Sequence, residues 1–178
     1  EDASGTATLD ATDADGDALT YSAVSDTNAV TISVSTSTLT LTPNANWHGV
    51  ATIKAYASDG SLKDSTSFKL TVTSVNDAPT LTKITETLST DEETEKAIIL
   101  SATDVDGDAL TYAATSDTNA VGITVSSDTL KLTPATNYTG IAKITVVVSD
   151  NALKDTTSFN FKVINVNDAP VISALSDV

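Results

Sequence analysis

Residues 141–163 read IAKITVVVSDNALKDTTSFNFKV. Ile144, Val146 and Val148 fall on alternate positions, and after a polar interruption Phe159, Phe161 and Val163 do the same. A period of two places successive side chains on opposite faces, which is the pattern of a strand with one buried face. The interruption, Ser149-Asp150-Asn151, offers residues that hydrogen-bond their own backbone and accept turn conformations. The stretch therefore predicts two strands and a short turn, over 141–149 and 155–166. The richness in Val, Thr and Ser favours strand over helix.

Shifted by 91 residues, the chain repeats itself. Residues 1–87 are identical to 92–178 at 45 of 87 positions without a gap. SDTNAV at 25 returns at 116, LTPNANWHG at 41 as LTPATNYTG at 132, ASDGSLKDSTSF at 57 as VSDNALKDTTSF at 148, and VNDAP at 75 again at 166. Ile53, Ala55 and Ala57, then Phe68, Leu70 and Val72, carry the same alternation in the first copy. Such repetition marks an array whose units meet mainly their neighbours. A 91-residue unit is too long for a solenoid turn and suits a small independent domain. The second copy predicts seven strands: A near 80–88, B 95–102, C 109–115, D 120–126, E 128–133, F 141–149 and G 155–166. Seven short strands with turn signals between them predict an immunoglobulin-like sandwich.

The expected fold class is all-β, with two tandem Greek-key sandwiches of about seven strands each. The first lacks strand A, because Glu1 aligns with Glu92. The expected division is a truncated repeat over 1–77, a second over 78–168, and the start of a following repeat at 169–178, where APVISALSDV aligns with APTLTKITET. The chain reads as a piece of something longer, and no signal peptide is visible.

Composition narrows the function. Acidic residues outnumber basic ones 24 to 9, the net charge is -15, and none of the cations is arginine. A nucleic-acid partner requires a basic face, and anionic membrane surfaces repel such a chain. Without cysteine, no disulfide, thiolate metal site or cysteine nucleophile exists. No apolar run reaches membrane-spanning length, so direct membrane insertion is not expected.

The negative charge is concentrated. ATDADGDALTY at 11–21 carries Asp13, Asp15 and Asp17, and ATDVDGDALTY at 102–112 carries Asp104, Asp106 and Asp108. In a seven-strand sandwich the B–C and F–G loops share one end. Strand A runs antiparallel to B, so the linker arrives at that end too. This topology predicts that Glu1, Asn76, Asp77, Asp104, Asp106 and Asp150 converge, with Asp13, Asp15 and Asp59, and Glu92, Asn167 and Asp168, forming the corresponding partial sets. Crowded carboxylates require a cation at neutral pH. An oxygen-only donor set with no His or Cys selects calcium over zinc or magnesium. The spacing is not that of an EF-hand loop, whose glycine is sixth and whose glutamate is twelfth. An isolated Asp-Gly is most often a tight turn.

The order Glu, TDADGDALTY, SDG, VNDAP resembles cadherin repeats, above all the bacterial cadherin-like repeats that occur in tandem in surface adhesins and secreted polysaccharide-active proteins. The likeness covers nearly the whole chain. It implies that the corner glutamates Glu1 and Glu92, the D-x-D pairs Asp13/Asp15 and Asp104/Asp106, the F–G aspartates Asp59 and Asp150, and the linker pairs Asn76/Asp77 and Asn167/Asp168 bind calcium. The acidic D-x-E element that the family carries before strand F is replaced by PNANWHG and PATNYTG, which implies about one or two ions per junction rather than three.

The expected function is a calcium-stiffened extender or adhesion module of a larger cell-surface or secreted bacterial protein. Its partners are neighbouring repeats of the same chain, with a polysaccharide or another surface protein as a further ligand. The alternative is calcium-dependent polysaccharide binding, for which Trp47 and its counterpart Tyr138 are the candidate aromatics, set against packing at a sandwich corner. An enzyme is the least expected class, since the single histidine, His48, is replaced by Thr139 in the second copy.

Overall fold

The computed structural model of the chain describes residues 1–172. They form two compact units, the first Glu1–Val75 and the second beginning at Asn76. Neither contains a helix among the described residues. The first unit consists of β1 (Gly5–Thr8), β2 (Thr20–Ser25), β3 (Val30–Ser35), β4 (Thr38–Pro43), β5 (Gly49–Ser58) and β6 (Lys63–Val72). One sheet has the order β1-β4-β3 and the other β2-β5-β6, all antiparallel. The two sheets enclose Val30, Leu39, Leu41, Ala51 and Ile53, with Trp47 and Leu70 packed against them.

The second unit consists of β7 (Thr80–Leu81), β8 (Leu88–Asp91), β9 (Lys96–Ile99), β10 (Ala102–Thr103), β11 (Thr111–Ser116), β12 (Val121–Ser126), β13 (Thr129–Pro134), β14 (Gly140–Ser149) and β15 (Lys154–Ile164). Its sheets have the orders β12-β13-β9 and β11-β14-β15-β8, with β10 and β7 paired separately. The opening stretch is the β14–β15 hairpin, and its register pairs Ile144 with Phe159 and Ala142 with Phe161. Ile144, Val146, Val148, Phe161 and Val163 are all 2% exposed or less. The alternation thus places one face of both strands in the core, as the sequence predicts. With so few aromatics, aliphatic side chains supply most of the apolar area removed from water.

Strands C to G lie close to their expected positions. Strands A and B differ. Instead of one strand over 80–88, Thr80–Leu81 pairs antiparallel with Ala102–Thr103, while Leu88–Asp91 runs parallel to β15 and pairs Leu88 with Phe161. Strand B is likewise divided: β9 joins β13, whereas β10 turns to β7. The cause is ladder geometry. A chain that hydrogen-bonds to the edges of two facing sheets must leave one ladder before joining the other. The change of partner occurs around Leu100 and Ser101, where Leu100 N–H donates to Asp128 C=O at 2.7 Å and Ser101 C=O accepts from Thr82 N–H at 2.8 Å.

By the 91-residue offset, β7 and β8 have no counterpart within residues 1–75. The strand A expected at 169–178 falls largely on 173–178, outside the described residues. Residues 165–172 are exposed and carry no strand.

Candidate metal centre

Each D-x-D-G-D stretch folds as a turn pinned by its first aspartate. Asp104 Oδ1 accepts the N–H groups of Asp106 and Asp108 at 3.0 and 3.2 Å, and Asp13 Oδ1 accepts those of Asp15 and Asp17 at 2.9 and 3.1 Å. The intervening Gly107 and Gly16 adopt φ of 79° and 82°, a conformation that L side chains rarely take. One oxygen of the first aspartate therefore shapes the loop. The other oxygen of Asp104, Oδ2, is buried without a hydrogen-bond partner.

The β14–β15 turn is built the same way. Asp150 Oδ1 accepts the N–H groups of Ala152 and Leu153 at 2.7 and 2.6 Å, as Asp59 Oδ1 accepts those of Ser61 and Leu62, both at 2.6 Å. Asp150 Oδ2 accepts from Asn76 Nδ2 at 2.8 Å, and Asp77 N–H donates to Asp106 Oδ2 at 2.8 Å. At this end of the second unit the fold brings together Asn76, Asp77, Asp104, Asp106 and Asp150. Asp108, which the sequence reading left out of its ligand set, belongs with them: one carboxylate oxygen from each of Asp104, Asp106 and Asp108 lies within 4.8 Å of the others. The third aspartate of the motif was the signal for it.

Asp150 is only 7% exposed. The Asn76 amide first, then the Leu153 N–H, hold its carboxyl below the ordinary carboxylate range, against the opposing effect of burial. Asp59 is lowered by the Leu62 and Ser61 N–H groups. Both groups are poised as anions, as oxygen ligands to a hard cation must be.

At the opposite end of the second unit, Glu92 is 6% exposed. Its Oε1 accepts from Val166 N–H at 2.9 Å, and its Oε2 is buried without a hydrogen-bond partner. Asn167 Nδ2 donates to Asp168 C=O at 3.3 Å in the same stretch. In the first unit Glu1 Oε1 accepts from Val75 N–H at 2.9 Å, and His48 Nδ1 lies 3.8 Å from Glu1 Oε2. Each corner glutamate thus fastens the stretch just after the last strand of its unit, at Val75 and at Val166, and Glu92 Oε2 is left without a hydrogen bond.

Trp47 and Tyr138 occupy equivalent corners. Trp47 packs against the first core and Tyr138 against the second. Each ring also lies over a glycine two residues on. A Cβ at Gly49 would meet the Trp47 ring at 3.2 Å, and one at Gly140 would meet the Tyr138 hydroxyl at 3.4 Å.

Comparison with known proteins agrees with this architecture. Residues 76–162 match the family model of the bacterial Ig domain, and residues 5–73 match that of the cadherin-like domain. No curated protein matches the chain. Among solved structures, the human protocadherin-24 EC1-2 pair is similar at 16% identity and a TM-score of 0.55, with 85% of each chain covered. The endo-fucoidan hydrolase MfFcnA4 of glycoside hydrolase family 107 is similar at 26% identity and a TM-score of 0.42 over 94% of this chain. The chain spans 27% of that hydrolase chain. The two units are therefore tandem sandwiches of the bacterial Ig and cadherin-like class, and the resemblance read from the sequence holds at that level.

Proposed function

We propose that the chain is a calcium-binding extender or adhesion module of a larger extracellular or cell-surface protein. The observation that carries this reading is the buried, unpartnered Asp104 Oδ2 within the Asp104–Asp106–Asp108 cluster. A buried carboxylate oxygen without a hydrogen bond is costly, and a divalent cation would satisfy it. The donor set, aspartate and asparagine oxygens without imidazole or thiolate, suits calcium. Asp104, Asp106 and Asp108 would hold the ion, with Asp77 and Asp150 beside them at the same end of the unit. The unpartnered Glu92 Oε2, on the glutamate that holds Val166 N–H just before Asn167 and Asp168 in the chain, supports a second set at the other end of the unit.

An ion there would clamp the connecting segment to the β10–β11 and β14–β15 loops. The tandem then becomes an extender whose stiffness depends on calcium, and catalysis has no part in it. Sites of this extracellular kind bind with Kd of about 10⁻⁴–10⁻³ M. An ion at a hundredfold excess over its Kd adds about 2.7 kcal/mol of stability.

Thermal unfolding with calcium, with magnesium and after chelation tests the reading, in the intact chain and in Asp104→Ala/Asp106→Ala. A calcium-specific rise in Tm that the double variant loses supports it. Equal Tm values in calcium and chelator, with calorimetry showing no heat of binding, would reduce the aspartate stretches to turns. Trp47 and Tyr138 are engaged with their cores and glycines, and no observation favours a sugar platform over that packing.

A further inference from the structure

Along β14 the residues Ala142, Ile144, Val146 and Val148 are buried, and along β15 Phe159, Phe161 and Val163. The alternate positions of these strands therefore make the outer face of the sheet. Lys143, Lys154 and Lys162 stand exposed on it. By the same alternation the outer face of β2-β5-β6 carries Lys54, Lys63 and Lys69, also exposed. Six of the chain's nine cationic residues thus occupy equivalent sheet faces, three in each unit. None of the outward positions on β2, β5, β6, β11, β14 and β15 is acidic, in a chain with 24 carboxylate residues. Asp26 and Asp117, just past β2 and β11, adjoin the faces, and each gives an oxygen to a backbone N–H, that of Thr52 or Lys143.

These cations gain little from the fold itself. Among the described residues the lysine ion pair is Lys131–Glu95, on the opposite sheet, and none of the six takes part in one. The register sets Lys143 diagonal to Lys162 and Lys54 diagonal to Lys69. Diagonal neighbours are about 7–8 Å apart, close enough for like charges to repel. In the first unit Lys63 Nζ and Lys54 Nζ lie 3.9 and 5.3 Å from the centre of the Tyr56 ring, whose π face attracts both. Between the lysines the faces carry small hydrogen-bonding groups, Ser65 and Ser67 in the first unit and Ser158 and Asn160 in the second. The second face is also hollowed. A groove of about 430 Å³ is lined by Lys143, Lys162, Ser158, Asn160 and Ile141, with Glu86 as the acidic residue on its wall.

We propose that the outer face of β11-β14-β15, and its counterpart on β2-β5-β6, binds an acidic polysaccharide. Sulfate or carboxylate groups meet Lys143 and Lys162, and sugar hydroxyls meet Ser158 and Asn160. The charges of such a polymer are set apart by whole sugar rings, which fits lysines placed a diagonal apart with hydroxyl and amide groups between them. Duplex nucleic acid carries a phosphate for every ~1.7 Å of its axis and is gripped best by arginine, which the chain lacks. An anionic membrane calls for about 4–8 clustered basic residues, and each face has three. The faces lie on internal strands, away from the Trp47 and Tyr138 corners, and use none of the Asp104–Asp106–Asp108 carboxylates. The proposal therefore stands apart from the calcium reading.

A residue-resolved NMR titration of the full chain tests this, with sulfated, carboxymethylated and uncharged dextran oligosaccharides, each in calcium and in chelator. The two charged oligosaccharides should shift the amides of β14 and β15 and those of β5 and β6, equally in calcium and in chelator, and the uncharged one should leave them in place. Lys143→Gln/Lys162→Gln should weaken binding at the second unit about tenfold, the worth of two exposed charge pairs, and leave the first unit's binding unchanged. Lys131→Gln, a charge removed from the opposite sheet, should have no effect. Glu86→Gln should strengthen binding at the second unit, because it takes the anion out of the groove. Shifts with neither charged oligosaccharide, shifts confined to the aspartate loops or lost in chelator, or an equal loss in Lys131→Gln would overturn the proposal. Tighter binding of poly-glutamate or of a duplex oligonucleotide to the same strands would overturn it as well, since the faces would then serve another polyanion.

Discussion

Gly140 and its counterpart Gly49 both sit at φ of 145°, each beneath the ring of the aromatic two residues earlier. A side chain at either position strains the backbone and meets the ring. Gly140→Ala should therefore destabilise the second unit by about 1–3 kcal/mol. Gly5→Ala, in open space without a positive φ, should stay within about 0.5 kcal/mol. Urea denaturation of both variants checks the difference. Asp155 poses a different test. The Leu81 N–H first, then the Thr156 N–H, hold its carboxyl below the ordinary range, helped by the charge of Lys83. A carboxylate with a folded pKa below its unfolded one stabilises the fold above the unfolded value of about 3.9, and that contribution is lost as pH falls through the depressed value. Asp155→Asn should thus lower Tm at neutral pH and flatten its fall in acid. A Tm that drops with acid as steeply in the variant as in the parent would refute this role.

Among the elements, the two G strands make a natural experiment. β15 and β6 share the motif KD(S/T)TSF, yet the core that β15 faces includes Leu81 of β7 with Ile84 packed against it, and β8 extends its sheet, while the face of β6 around Phe68 is open. Burial sets the value of the ring. Phe159→Ala should cost about 3–5 kcal/mol, the range for a phenylalanine removed from a closed core. Phe68→Ala should cost less than half of that. Guanidinium unfolding of each variant, read separately for the two units, decides it. The division of strands A and B between sheets belongs to this scale as well. Apolar alternation marks which residues face inward but not which edge the backbone bonds to, so 80–88 reads as a continuous strand in the sequence and as two short ones in the fold.

For the whole molecule, the cores differ in size. Twelve buried hydrophobic residues make up the second core, including Phe159 and Phe161, against five in the main cluster of the first. Larger apolar burial raises stability, so the first unit should unfold at lower temperature. Hydrogen exchange should find the amides of β13 and β14 protected longer than those of β4 and β5. Similar protection in both units would show that buried area is not what separates them. If the Asp104–Asp106–Asp108 cluster holds calcium as proposed, calcium should widen the gap and a scan in chelator should narrow it.

The chain's own pattern determined a great deal. Period-two alternation, the 91-residue repeat and the turn residues specify two all-β sandwiches, because which face of a strand is buried is a local property of the sequence. The D-x-D-G-D, SDN and VNDAP stretches were legible as one acidic cluster because the order of strands in a Greek key brings their loops to one end. Tertiary structure alone decided the rest: that one oxygen of Asp104 is consumed in shaping its loop while the other is left buried, that Asp155 anchors strand A, and that Phe68 and Phe159 differ in exposure despite the shared KD(S/T)TSF motif. Those outcomes depend on which distant segment reaches a given surface, and no short window of residues contains that information.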